Sequence, residues 1–113
     1  MLHELREYVA APGRAAALHA RFAEHTLPLF AKHGLEVVGF WTDATDDGRL
    51  VYLLRFADAE AKSAAWAAFQ ADPEWKRVKA ESEAGGPIVA EMHSTTLAAV
   101  PYWPAGTGSR EQS

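Results

Sequence analysis

Near the start of the chain Glu4, Arg6 and Tyr8 alternate with Leu5, Glu7 and Val9. Successive side chains of an extended strand point to opposite faces, so Glu4, Arg6 and Tyr8 share one face. A carboxylate, a guanidinium and a phenol held side by side can orient a polar substrate. Arg6 stays charged and carries forked donors, which suits it to clamp an anion or to stabilise an enolate. Tyr8 can donate to a carbonyl or move a proton, and Glu4 can orient Arg6 or act as a base. The structural alternative is a trio that satisfies itself, because ion pairs that only hold a fold imitate sites. With Leu5 and Val9 turned toward helices, the trio faces the other side of its sheet.

Two histidines are further candidates. His25 falls on the apolar helical stripe of Leu18, Phe22 and Leu29, where an imidazole can be a general base, an iron ligand or a core histidine bonded to a carbonyl. His93 shares strand parity with Glu91 and Thr95 and would be an acid/base if that parity lines a cavity; the opposite parity presents Ala90, Met92 and Ser94. His3, His19 and His33 read as structural. His25 and His33 lack the i, i+4 spacing of a two-histidine site, and no acid–histidine spacing marks a metal centre, so no metal is expected. Trp41, Tyr52 and Arg55 lie on strands that can line a cavity and are candidate substrate contacts, the aromatics by stacking on a planar ligand. Trp66 and Trp75 are expected to pack on the sheet. Gly85-Gly86-Pro87 lacks the context of a phosphate cradle, and there is no Gly-x-Ser-x-Gly elbow.

The elements that must position these residues follow from periodicity. A strand is expected over 3–10 and a helix over 14–33, closed by Gly34. Pro28 lacks a backbone donor, which predicts a kink or break near 24–28. A strand over 35–43 contains Gly39, a signal for a bulge or a close approach. Asp46-Asp47-Gly48 reads as a hairpin turn before a strand over 50–56, whose nearly continuous apolar run suits cover on both faces. Asp58 caps a helix over 59–70, and Asp72-Pro73-Glu74 begins a shorter one. A last strand runs over 88–100, and 105–113 reads as a flexible polar tail. The order β-α-β-β-α-β is the ferredoxin-like α+β arrangement, with an antiparallel four-stranded sheet. Helices cover one face of such a sheet. A second copy of the chain is the simplest cover for the other.

Composition narrows the function. A length of 113 residues fits one domain, and the lack of cysteine excludes disulfides, thiolate metal sites and a cysteine nucleophile. A net charge of −4 argues against a nucleic-acid partner. No apolar run approaches the ~18 residues of a membrane span, and the charged start is not a signal sequence, so a cytoplasmic location is expected.

Several segments together resemble the NIPSNAP family: Glu4-Leu5-Arg6-x-Tyr8 with Pro12-Gly13, Leu27-Pro28-Leu29 with Lys32-His33-Gly34, Gly39-Phe40-Trp41-Thr42, and Asp72-Pro73-Glu74-Trp75. The resemblance runs from about Glu4 to Pro104, which makes 1–104 a single domain. Leu54 and Phe56 depart from it, since the family often carries aromatics there. The resemblance implies a homodimeric α+β barrel in which two four-stranded sheets face each other. The wider superfamily holds cofactor-independent monooxygenases of the antibiotic-biosynthesis type, muconolactone isomerase, polyketide cyclases and haem-binding chlorite dismutases. By analogy the chain would act without a cofactor on a small, partly apolar organic molecule, as a monooxygenase, isomerase or cyclase. The alternatives are a non-catalytic ligand-binding or interaction module, and a haem protein with His25 or His93 as axial ligand.

Overall fold

A computed structural model describes residues 1–103 of the chain; the expected tail lies outside the described residues. Strand β1 (Leu2–Ala10) leads to a long helix in three parts: α1 (Ala15–Arg21), a π-helical turn (Phe22–Thr26) and α2 (Leu27–Lys32). Strands β2 (Glu36–Asp43) and β3 (Asp46–Phe56) form a hairpin. Helices α3 (Ala59–Ala71) and α4 (Pro73–Ser82) and strand β4 (Val89–Ala98) follow. The sheet order is β2-β3-β1-β4 and every pairing is antiparallel. This is the ferredoxin-like α+β fold, with β2 and β4 at the edges.

The break expected at Pro28 takes the form of the π-turn. Pro28 has no N–H to return to the preceding turn, and there the helix widens so that the Leu27 N–H reaches back five residues to the Phe22 carbonyl. Gly34 closes α2 with φ +81°. The Asp58 carboxylate caps α3 by accepting from the Ala61 N–H at 2.8 Å. Asp72 caps α4 by accepting from Glu74 N–H at 2.8 Å, and it also takes bonds from Lys32 Nζ at 3.0 Å and His33 Nε2 at 2.7 Å. These contacts, His33 foremost, hold the Asp72 carboxyl well below the ordinary carboxylate range and tie the end of α2 to the start of α4.

Two local expectations need correction. The hairpin turns at Ala44-Thr45, two residues before Asp46-Asp47-Gly48, which lie within β3. Asp43 explains the shift: its carboxylate accepts from both the N–H and the hydroxyl of Thr45 at 2.9 Å, an Asx turn that closes the loop early. On β2 the register slips between Val37 and Gly39. The Trp41 ring lies across Gly39, where any Cβ would overlap it.

The core lies between one sheet face and the helices. Leu50, Tyr52, Leu54 and Phe56 of β3 are buried against Leu18, Phe22, Phe30 and Phe69. Burial of such side chains, roughly 1.5–3 kcal/mol each, is the chief contribution holding the layers together. The alternate residues Val51, Leu53 and Arg55 are half-buried on the face the helices leave open.

Candidate functional site

Glu4, Arg6 and Tyr8 share one face of β1, but that face looks toward the helices and not away from them. The register decides it: Arg6 stands opposite Tyr52 and Ser94, and Tyr8 opposite Leu50 and Met92. The partners that make this parity tolerable come from other elements. Glu4 is fully buried, with its Oε1 accepting from the Trp66 indole at 2.7 Å and its Oε2 from Ser94 Oγ at 2.5 Å and Arg6 Nη1 at 3.0 Å. Arg6 also donates through Nε to the Tyr52 hydroxyl at 2.9 Å and through Nη2 to the Tyr8 hydroxyl at 2.7 Å. The two hydroxyls lie 3.1 Å apart.

Electrostatics fix the charge states. Burial pushes the Glu4 carboxyl up, but the bonds from Ser94, Trp66 and Arg6 outweigh it and hold the group below its ordinary value. Burial likewise opposes charge on Arg6, yet the Tyr52 and Tyr8 oxygens and Glu4 raise its affinity for the proton. Burial, reinforced by Tyr8, lifts the Tyr52 phenol well above its ordinary value, so it stays neutral.

This network forms part of a cavity of about 410 Å³ between the sheet and the helices. Arg6, Tyr8 and Met92 come from the sheet, Arg21, Phe22, Thr26 and Phe30 from the first helix, and Trp66, Phe69 and Trp75 from α3 and α4. Lys79 and Glu83 stand at one side. The Arg6 guanidinium lies over Trp66 at 4.3 Å and that of Arg21 over Trp75 at 5.3 Å. Phe69 joins the two indoles, with ring centroids 5.8 Å from Trp66 and 4.7 Å from Trp75. The cavity therefore has an aromatic wall with a cation over each end.

The other sequence-predicted residues lie elsewhere. In an α-helical turn His25 and Thr26, three and four residues on, would both flank Phe22; the π-turn holds one residue more, which carries His25 off that face and leaves Thr26 on it. Thr26 is 3% exposed. The His25 side chain is 39% exposed beside Glu24, facing the groove against α4. His93 does share a face with Glu91, 3.6 Å away, but this is the open face, opposite the trio. Trp41 is 55% exposed on the open face. Arg55 pairs with Glu36 there, beside a more open depression also lined by His3, Val38 and Leu97. Tyr52 joins the network through its hydroxyl, and its ring centroid lies 5.7 Å from that of Tyr8. Trp66 and Trp75, expected to pack on the sheet, both line the cavity. Arg21 and Thr26 escaped the sequence reading, although each lies three or four residues from an apolar stripe residue, Leu18 or Phe22.

The expected haem ligands are His25 and His93, and neither lines the cavity. His19 is bonded to the Asp47 carbonyl and His33 to Asp72. Histidine ligation of a haem in this cavity does not fit the residues present.

A cavity between an antiparallel sheet and the helices on its one covered face defines a class of small α+β proteins. Similar solved structures include a NIPSNAP domain protein from Burkholderia xenovorans, 19% identical, with a TM-score of 0.78 over 92% of this chain and 99% of that one. A NIPSNAP family protein from Agrobacterium tumefaciens is 11% identical, with a TM-score of 0.80 over 93% and 98%. SnoaB, a cofactor-independent oxygenase from Streptomyces nogalater, is 17% identical, with a TM-score of 0.64 over 91% and 96%. No curated protein matches the chain significantly. The NIPSNAP family model matches residues 3–104. The chain belongs to the NIPSNAP family.

Proposed function

We propose that this protein is a homodimeric barrel protein that binds a small, partly apolar molecule bearing a phenolic or enolisable oxygen in the cavity beneath its helices, and transforms it without a cofactor. The observation that carries the reading is the 3.1 Å contact between the Tyr52 and Tyr8 hydroxyls, whose direction follows from their other partners. Arg6 donates to both the Tyr52 and the Tyr8 hydroxyls. Tyr52 is wholly buried, and the Tyr8 oxygen is the one acceptor in reach of its hydrogen among the described residues. Tyr52 therefore donates to Tyr8, and the Tyr8 hydrogen is left for the cavity.

A phenol that accepts from a guanidinium and from a second phenol is a strengthened donor. Facing a substrate oxygen, Tyr8 and Arg6 favour its ionised form. An enolate or phenolate is the electron-rich form that reacts with oxygen unaided, or that takes a proton at another carbon in an isomerisation or cyclisation. The name of SnoaB agrees with the first of these. The open sheet face, with Leu5, Val51, Leu53 and Trp41, is the surface on which the second copy would sit. A second reading, binding without turnover, draws support from how fully the network satisfies itself: three Arg6 nitrogens each already bond a protein oxygen.

Native mass spectrometry of the purified protein, with an absorption scan, tests the reading. A dimer carrying a small organic mass is expected. A monomer with no added mass would remove both the barrel and the ligand. Arg6→Ala is expected to lower turnover of the identified compound by about 10²–10³-fold. Unchanged turnover would end the catalytic assignment.

A further inference from the structure

We propose that Arg21 and Thr26 form a carboxylate-binding subsite at the end of the cavity away from Arg6, so that the ligand is an aromatic acid. This rests on the cavity being the ligand site and adds what the ligand must carry there.

Unspent hydrogen bonds mark the subsite. Arg21 is 7% exposed. Its Nη1 donates to Ser82 Oγ and Glu83 Oε2, both at 3.1 Å. Its Nε is buried with no partner, and Nη2 makes no hydrogen bond among the described residues. Nε and Nη2 are the edge of a guanidinium that meets a carboxylate with two parallel bonds. Glu83 thus aims the group from Nη1 without occupying that edge. Thr26 lines the same cavity, and its Oγ1 is also buried and unpartnered. A buried polar atom without a partner is rare and costly. Two such atoms on residues that line one cavity, a guanidinium edge and a hydroxyl, match the acceptor pattern of a carboxylate, which must part the side chains that close over them in the free protein.

Charge agrees. Arg6, Arg21 and Lys79 line the cavity against Glu83 alone, with Glu4 behind Arg6. The lining keeps a positive excess that one carboxylate would neutralise. The wall of Trp66, Phe69 and Trp75 between the two guanidinium groups suits a planar aromatic body. The ligand class is then an aromatic acid with its oxygen function at Tyr8 and its carboxylate at Arg21.

Titration calorimetry with three probes tests this: 6-hydroxy-2-naphthoate, its methyl ester, and 2-naphthol. The acid is expected to bind at least about tenfold more tightly than the ester or 2-naphthol, as a charged two-bond contact requires. Arg21→Lys keeps the charge but loses the edge; it should remove that preference and leave 2-naphthol affinity intact. Thr26→Val should weaken the acid about fivefold, yet raise Tm, because it deletes an unpartnered hydroxyl from the free protein. A hydroxyl serving only the fold would lower Tm when removed and leave the acid's affinity alone. Equal binding of acid and ester, or a preference that survives Arg21→Lys, overturns the subsite while the cavity reading stands. A preference lost in Lys79→Met but kept in Arg21→Lys places the anion at the mouth and also overturns it. If none of the three binds, the cavity reading falls and takes the subsite with it.

Discussion

The two faces of the sheet use the same residue types to opposite effect. On the covered face Glu4 is buried and Arg6 largely so, and their partners are Ser94, Trp66, Tyr52 and Tyr8. On the open face Glu7 pairs with Arg49 at 2.6 Å, Glu36 with Arg55, and Glu91 with His93, each between strand neighbours near water. A pair in water gains little, since solvent screens it and side-chain entropy opposes it. The same pair under helices holds one geometry, because neither charge can lose its partner cheaply. Burial, more than the identity of the ionised groups, separates a site from a decorated surface.

That contrast breaks hardest at Glu4. Glu4→Ala is expected to cost about 3–5 kcal/mol in urea unfolding, because it strands Arg6, whereas Glu7→Ala should cost under about 1 kcal/mol. Similar costs for both would erase the distinction between the faces. On the open face, where the second copy is proposed to sit, Trp41→Asp is expected to weaken association by about 2 kcal/mol or more, as for a central aromatic anchor, and sedimentation of variant and parent at one concentration checks it; equal association in both would count against this face as the seam. Acid sharpens the comparison further. The Glu4 carboxyl titrates below its ordinary value, so its contribution is fully present above about pH 4.3 and is lost as pH falls toward its folded value. Glu4→Gln should therefore flatten the acid limb of a stability–pH curve, and an unaltered limb would count against the buried charge. The smallest effect is expected at Arg55→Ala, under about 1 kcal/mol at neutral pH, because its partner Glu36 is exposed.

Local chemistry made much of the fold legible. Asp58 and Asp72 mark helix starts through their own side chains, and Pro28 disturbs its helix through its own missing donor. Strand parity on β1 was not legible, because the residues that stabilise a buried Glu4 and Arg6 lie 46 to 90 positions away along the chain. Alternation says which residues share a face, but only the partners say which face is covered. Arg21 was hidden for the same reason: Ser82 and Glu83, which hold it, follow more than 60 residues later. His25 misled for a local reason. A stripe projected at a constant 3.6 residues per turn runs between it and Thr26, and the wider turn after Phe22 carries His25 off the stripe and leaves Thr26 on it.

That wider turn makes the first helix sensitive to length. Deleting Ala23 would allow ordinary α-helical spacing through the segment, and a companion Pro28→Ala would remove the remaining obstacle. Such a double variant would be more helical than its parent. It would also keep its two halves in phase, because the deletion takes out the one residue that the wider turn absorbs; regularising the helix by Pro28→Ala alone would instead rotate everything upstream by about 100° relative to Leu29 and Phe30 and carry Arg21 out of the cavity. At its present length regularity would cost this helix its phase, and the wider turn is what keeps both halves facing the cavity.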